Sequence, residues 1–238
     1  MRLNKFLSKA GIASRRGADL LLEQGRIAVN GKIVTELGTV IDETRDKVTF
    51  DGKSVLLSEE NLYLILNKPS GYLVTCKDSF QRPIVMELMG EYKKTVKPVG
   101  RLDFDSSGLL VLTDDGEFAF RLSHPKFGID KKYQVRCEGY VSDKDLKKLG
   151  EGIELDDGIT SPAKLELISR SKTFSRFHIT IHEGRKRQIR RMCQAIGKKV
   201  MTLKRISIAN VDLGDLRSGR YRLLEKKEIE CLKKAVGL

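Results

Sequence analysis

An acidic loop that leads directly into an apolar run holds the residue types best suited to chemistry in this sequence. Residues 100–108 read Gly-Arg-Leu-Asp-Phe-Asp-Ser-Ser-Gly, and residues 109–112 are all apolar. Asp, Ser and Gly are ordinary turn formers, so a structural turn explains any one of them. A carboxylate beside a reacting carbon can instead attack it or stabilise the positive charge that develops there. The loop alone does not choose between Asp103 and Asp105.

A strongly basic segment is the second candidate. Residues 170–205 hold twelve basic residues and one acidic residue, a net charge of +11 in a chain whose net charge is +13. Apolar residues recur at helical spacing from Ile189 to Ile196, so the intervening arginines fall on other faces. One arginine beside a partly buried carboxylate would lower its pKa, and the others could contact phosphates. A solvated basic face is the alternative.

The charge pattern also bears on the class of partner. A basic stretch is the footprint expected of a protein that binds a phosphate backbone. A membrane surface would attract the same charge, but no long amphipathic helix with an aromatic-rich apolar face accompanies it. The sequence therefore favours a nucleic acid as the partner.

Tyr133 lies in a stretch, residues 131–137, whose pattern predicts a strand. A lone tyrosine on a strand most often packs in the core. Its ring can also stack on a nucleobase, and its hydroxyl can move a proton. Both interpretations stay open on the residues alone.

Several classes of protein are excluded. The four cysteines and three histidines are not spaced for a metal or redox site, and no Gly-x-Gly-x-x-Gly follows a predicted strand. We therefore expect neither a metal nor a cofactor. No apolar run is long enough for a membrane helix, and the N-terminus lacks a signal-peptide core. These patterns predict a cytoplasmic protein without a membrane partner.

Helix and turn signals divide the chain into two domains. One helix is predicted before Gly11, a second is capped by Ser14, and Asn30-Gly31 predicts a tight hairpin turn. Further on, strands are predicted at 62–66, 109–112, 131–137 and 177–181, and helices at 85–88, 117–123 and 187–196. Strands that do not alternate regularly with helices favour an α+β fold. The predicted boundaries are a helix–helix–hairpin domain at 1–50, a connector at 51–61 and a second domain at 62–235.

Residues 2–32 resemble a small RNA-binding module found in a primary-binding ribosomal protein of the small subunit and in bacterial tyrosyl-tRNA synthetases. The match includes the two helices and the hairpin Gly-Arg-Ile-Ala-Val-Asn-Gly-Lys at residues 25–32. The resemblance implies that Lys5, Arg15 and Arg16 contact RNA.

Three segments of the second domain together resemble the bacterial rRNA pseudouridine synthases of the RsuA family. They are GRLDFDSSGLLVLTDDG from residue 100, KKYQV from residue 131 and IHEGRKRQIRRMCQAIG from residue 181. Further matches are NKPSGYLVT near residue 70, LDDGITSPA at 155–163 and LKRISIANVDLGDLRSGRYRLLE near the C-terminus. The resemblance covers nearly the whole chain and implies a mixed, mostly antiparallel sheet in the catalytic domain.

The resemblance also implies roles for individual residues. It makes Asp103 the essential carboxylate, Tyr133 the active-site tyrosine, Arg190 the partner of Asp103, and Leu203 a wall of the uracil pocket. Further RNA contacts are predicted for Arg101, Arg185, Lys186, Arg187 and Arg191. The implied reaction is the cofactor-free isomerisation of a uridine in ribosomal RNA, with large-subunit RNA favoured over small-subunit RNA.

Two other functions stay open. A non-catalytic RNA-binding factor of ribosome assembly would use the same basic surfaces. An RNA methyltransferase with the same N-terminal module is disfavoured by the missing glycine-rich cofactor loop. The expected partner is ribosomal RNA or a pre-ribosomal subunit, and a monomer is expected because no interface is evident.

Overall fold

The chain divides into two units, Met1–Asn61 and Leu62–Leu238, in a computed structural model that describes residues 1–57 and 60–238. Each unit has its own apolar core. None of the described helices is long and apolar enough to cross a membrane.

Capping and turn residues set the elements of the N-terminal unit. Ser14 Oγ accepts a hydrogen bond from the Gly17 N–H at 3.1 Å, which caps the second helix. Asn30 and Gly31 have φ of 51° and 78°, as a two-residue hairpin turn requires. The elements are α1 Leu3–Lys9, α2 Arg15–Glu23, β1 Ile27–Val29, β2 Lys32–Ile33, β3 Val48–Phe50 and β4 Lys53–Ser54. The strands form one sheet in the order β2-β1-β3-β4.

The predicted connector at 51–61 is wrong in its first part. Asp51 and Gly52 form a second tight turn, with φ of 48° and 77°, and β4 returns along β3 in antiparallel register. An Asp-Gly pair is the usual chemistry of such a turn, but β4 is too short to show a strand pattern in the sequence. Ser58 and Glu59, also within the predicted connector, lie outside the described residues.

The second unit contains one mixed sheet and a separate two-stranded hairpin. Its strands are β5 Tyr63–Lys68, β6 Lys97–Pro98, β7 Ser107–Thr113, β8 Lys131–Glu138, β9 Glu154–Leu155, β10 Gly158–Ile159, β11 Lys164–Arg170, β12 Phe174–Ile181, β13 Val200–Ile208, β14 Val211–Asp212 and β15 Tyr221–Leu223. Its α-helices are α3 Gly116–Ser123, α4 Asp143–Glu151, α5 Gln188–Ala195 and α6 Lys226–Ala235, and 3₁₀ turns span Val85–Leu88, Gly90–Lys94 and Pro125–Phe127.

Among the described residues, nine strands join this sheet, and seven of them follow the order β11-β12-β8-β13-β7-β5-β15. β13 and β7 run parallel, whereas the other neighbours in this order are antiparallel. β9 and β10 form a separate hairpin. The strands at the centre therefore bring the end of the acidic loop, which enters β7, beside β13 and β8.

The close approach of the parallel strands β7 and β13 depends on Gly108. Its φ is 104°, and a Cβ atom at this position would lie 2.1 Å from the backbone oxygen of Arg205 and 2.7 Å from its nitrogen. Both neighbours are backbone atoms of a central strand, so neither can move aside cheaply. Only glycine allows the two strands to approach this closely.

We expect Gly108→Ala to lower the free energy of unfolding by about 3 kcal/mol or more, because the added methyl group clashes with β13 and the backbone conformation is unfavourable for alanine. Urea unfolding followed by circular dichroism measures the change. Gly116→Ala is the matched control, since a Cβ there meets no atom within 4 Å. Equal unfolding free energies for the two variants would contradict the proposed close approach.

Candidate active site

A cleft of about 200 Å³ collects most of the predicted site residues. Asp103, Tyr133 and Leu203 line it, as do four of the predicted basic residues: Arg101, Arg185, Lys186 and Arg187. Its other walls, for which no individual site role was predicted from the sequence, include Leu102, Ser106, Ile181, Gln188 and Ile189. Arg190 and Arg191 instead line a separate depression on α5, and Lys5, Arg15 and Arg16 belong to the N-terminal unit.

Asp103 is held by its backbone rather than by its carboxylate. Its carbonyl accepts hydrogen bonds from the Ser106 N–H at 3.1 Å and from Lys68 Nζ at 3.2 Å. The side chain is half-buried, and its carboxylate makes no hydrogen bond or ion pair within the described residues. A carboxylate on an anchored loop, at the wall of a cleft, is free to act on a bound molecule.

Lys68 fastens this loop from beneath. The side chain is fully buried at the end of β5, and Nζ donates to the carbonyls of Pro69, Asp103, Phe104 and Ser106 at 3.0, 3.2, 3.4 and 2.7 Å. Burial lowers the pKa of Lys68 to about 8, although the nearby negative charges of Asp105 and Asp103 oppose the shift. No role was predicted for Lys68 from the sequence.

The predicted pairing of Arg190 with Asp103 is wrong in this structure, where Arg190 and Arg187 both pair with Asp105 instead. Arg187 donates to both oxygens of Asp105 at 2.9 and 3.0 Å. Arg190 Nη2 lies 3.2 Å from Asp105 Oδ2 and donates to the Asp105 carbonyl at 3.0 Å. These hydrogen bonds from Arg187, and the charge of Arg190, lower the pKa of Asp105. Spacing in the sequence cannot distinguish two carboxylates that are two residues apart.

Two more arginines of α5 and its approach hold the β9–β10 hairpin. Arg185 donates to the carbonyls of Gly158 and Ile159 at 2.8 and 2.7 Å and pairs with Asp157 and Glu183, each at 3.2 Å. Arg191 pairs with Asp156 and also with Asp157, the latter at 2.9 Å. These guanidinium groups are engaged within the protein, so an RNA-binding role for them stays a prediction.

Two cations at the cleft are free of such partners. The side chains of Arg101 and Lys186 are exposed and form no hydrogen bond or ion pair with any residue that the structure describes. They are therefore the cleft residues best placed to meet an anionic ligand without breaking a contact inside the protein.

Tyr133 and Leu203 supply apolar surface to the cleft. Both are almost completely buried, Tyr133 on β8 and Leu203 on β13. The guanidinium of Arg205, which is opposite Tyr133 in the strand register, lies 6.0 Å from the centre of the tyrosine ring. An aromatic ring, an aliphatic wall and a free carboxylate together suit a planar heterocycle attached to a sugar.

The lowered pKa of Lys68 predicts a pH-dependent stability. Between pH 8 and 10.5 the folded state loses the Lys68 proton before the unfolded state does, so this group makes the free energy of unfolding rise with pH. We expect the difference between the wild type and Lys68→Met to shift by about 2 kcal/mol in favour of the wild type from pH 7 to pH 9.5. Urea unfolding at the two pH values measures it.

Lys94→Met is the control, because Lys94 is exposed. Its free energy of unfolding should differ from that of the wild type by the same amount at both pH values. A Lys68→Met difference that is also constant, to within about 0.5 kcal/mol, would contradict a buried ammonium with a lowered pKa.

Comparison with known sequences places both units in families. A sequence model described as RNA pseudouridylate synthase matches residues 62–195, which include the acidic loop and α5. A model of the S4 domain matches residues 1–46 in the N-terminal unit.

Individual relatives match over almost the whole chain. An uncharacterized RNA pseudouridine synthase of Aquifex aeolicus is 44% identical, over 100% of this chain and 96% of its own length. A Bacillus subtilis protein named ribosomal large subunit pseudouridine synthase B is 43% identical, over 98% of this chain and 95% of its own. A crystal structure described as a pseudouridylate synthase is 33% identical with a TM-score of 0.70, and the match covers 98% of this chain and 99% of the other.

The resemblance drawn from the acidic loop, the tyrosine strand and the basic helix is thus confirmed at the level of the family. This chain belongs to the RNA pseudouridylate synthase family and carries an S4 domain at its N-terminus.

Proposed function

We propose that this protein isomerises a specific uridine of ribosomal RNA to pseudouridine, and that the RNA of the large subunit is its substrate. The observation that carries the proposal is the unpaired carboxylate of Asp103 in the cleft, on a loop anchored by Lys68. The named activity of the Bacillus subtilis relative supports the choice of large-subunit RNA.

The reaction breaks the bond from the ribose C1′ to N1 of uracil, and the electron pair of that bond stays on N1. The base then rotates and joins C1′ to C5, which loses a proton, while N1 takes up a proton. Atoms and electrons balance without an oxidant, a reductant or a group donor. Asp103 acts at C1′, either by attacking it or by stabilising the positive charge that develops there. Tyr133 stacks on the uracil and Leu203 packs against it, so that the base stays in the cleft while it turns.

The target uridine must leave its stack to reach this cleft, at a cost of a few kcal/mol. Contacts to phosphates offset that cost. Arg101 and Lys186 provide them at the cleft. Arg187 and Arg190 act through Asp105 instead: they tie the acidic loop to α5 and so position Asp103.

The N-terminal unit adds a second RNA contact. Lys5, Arg15 and Arg16 are exposed, and none forms an ion pair within the described residues. Arg15 and Arg16 occupy the first turn of α2, which holds no acidic residue. Positive side chains at the positive end of a helix repel it, whereas a phosphate there would meet both the arginines and the free N–H groups.

The first test measures tritium release from ribosomal RNA that carries tritium at C5 of uracil, prepared from cells that lack this protein. We expect release by the wild type and less than a few per cent of that rate with Asp103→Asn, because the amide can neither attack C1′ nor stabilise its charge. Circular dichroism checks that the variant is folded.

Large-subunit and small-subunit RNA are assayed separately. Release from small-subunit RNA alone would overturn the substrate but not the reaction. No release by wild type, on naked RNA or on subunits, would favour the non-catalytic assembly factor.

Asp105→Asn separates the two carboxylates of the loop. We expect it to lower the rate of tritium release only about fivefold, since the pair with Arg187 is partly exposed and contributes about 1 kcal/mol. The amide oxygen can still accept a hydrogen bond from Arg187. If Asp105→Asn abolishes release while Asp103→Asn does not, the catalytic assignment must be exchanged between them.

A further inference from the structure

A second cavity of about 370 Å³ adjoins the catalytic cleft. The two share Arg101, Tyr133 and Gly184 as lining residues, so they lie side by side. Much of its wall is apolar, with Val99, Leu122, Pro125 and Ile208 among the lining residues. The role proposed for the cleft leaves this neighbouring space unexplained.

One buried and one half-buried cation line the second cavity. Arg205 is only 3% exposed; its Nε donates to the Leu109 carbonyl at 2.7 Å, but its buried Nη2 has no partner in the part of the chain that the structure describes. Lys131 is half-buried, and its Nζ donates to the carbonyls of Ile129 at 3.0 Å and His182 at 3.5 Å. Burial and the charge of Arg205 lower the pKa of Lys131 to about 8.

No carboxylate within the described residues neutralises these two cations by direct contact. Glu183 lines the same cavity, but its oxygens accept hydrogen bonds from the Ser161 N–H, Gln188 and Arg185. Asp130 is near enough to Lys131 to favour its charge, yet it pairs with Lys164 at 3.2 Å. Two neighbouring cations, one buried and one half-buried, are costly without a counter-ion, and a bound anion would lower that cost.

We propose that this second cavity binds a backbone phosphodiester of the RNA strand next to the flipped uridine, through Arg205 and Lys131. The inference rests on the proposed function. Guanidinium and ammonium groups bind phosphate oxygens well, and a nucleobase alone would leave both positive charges uncompensated. Because Tyr133 forms a wall of both spaces, a uracil stacked on it places the adjoining backbone beside the second cavity.

The experiment measures binding of ribosomal RNA by the full chain in filter assays from 50 to 200 mM salt. Loss of one phosphate contact makes the slope of log Kd against log salt shallower by about 0.7 to 0.9. We expect that change in Lys131→Met, with RNA bound about tenfold more weakly at the lowest salt. Lys227→Met, at an exposed residue of α6, should match the wild type.

A second pair of variants leaves both cations in place. Ser123 lies exposed at the cavity wall, so Ser123→Asp brings a carboxylate to the two cations, and Ser123→Asn is its neutral control. We expect Ser123→Asp to weaken RNA binding and Ser123→Asn to leave it unchanged. Wild-type slope and affinity in both Lys131→Met and Ser123→Asp would overturn the inference, and Ser123→Asp decides the matter if Lys131→Met does not fold.

Phosphate ethylation interference then locates the contact. With wild type, ethylation of a phosphate within one nucleotide of the converted uridine should block binding, and Lys131→Met should lose this one interference. Interference only at distant phosphates would overturn the inference. Because the filter assays report binding alone, they remain decisive even if tritium release refutes the isomerase activity, and tritium release can succeed while they fail.

Discussion

The close approach of the parallel strands β7 and β13 is the contact on which the second unit depends. Gly108 lets the two backbones approach until there is no room for a Cβ atom. On one side of this contact the acidic loop delivers Asp103; on the other, β13 carries Leu203 and Arg205 beside Tyr133 of β8. A wider separation would move the carboxylate away from the ring and the aliphatic wall that face it across the cleft.

The acidic loop is then fixed from two directions by chemistry of different kinds. Lys68 holds its carbonyls from the buried side, where each bond is sheltered from water. Arg187 and Arg190 hold Asp105 from the exposed side, where an ion pair contributes less and yields more easily. The loop is thus held through its backbone by Lys68 and through the Asp105 carboxylate by the two arginines.

The sequence predicted the central elements well because each carried a strong local signal. The apolar run after residue 108 gave β7, the helical spacing after Arg187 gave α5, and Asn30-Gly31 gave the hairpin. The short strands β4 and β15 were not predicted, since two or three residues cannot establish an alternating apolar pattern.

The site was less predictable than the fold, because its residues are distant in the sequence and come together only in the folded structure. Tyr133 and Leu203 lie 70 residues apart and meet only through the pairing of β8 with β13. Nothing in the sequence distinguishes Lys68 from a surface lysine, whereas in the structure its burial among four carbonyls lets it anchor the acidic loop. The pairing of Arg190 with Asp105 likewise depends on the direction of α5, which is set by the left-handed conformation of Arg187, the residue that precedes the helix.

The ion pairs of Arg185 and Arg191 with the β9–β10 hairpin weaken the long-range electric field of the basic segment. A guanidinium paired with a carboxylate is a local dipole, whose field decays faster with distance than that of a single charge. Arg185 and Arg191 therefore add little to the long-range attraction of RNA, although they raise the formal charge of their segment. Diffusional capture falls to the unpaired cations, such as Arg101 and Lys186, whose reach is about 8 Å at physiological ionic strength. The number of basic residues thus overstates the distance at which this protein senses its substrate.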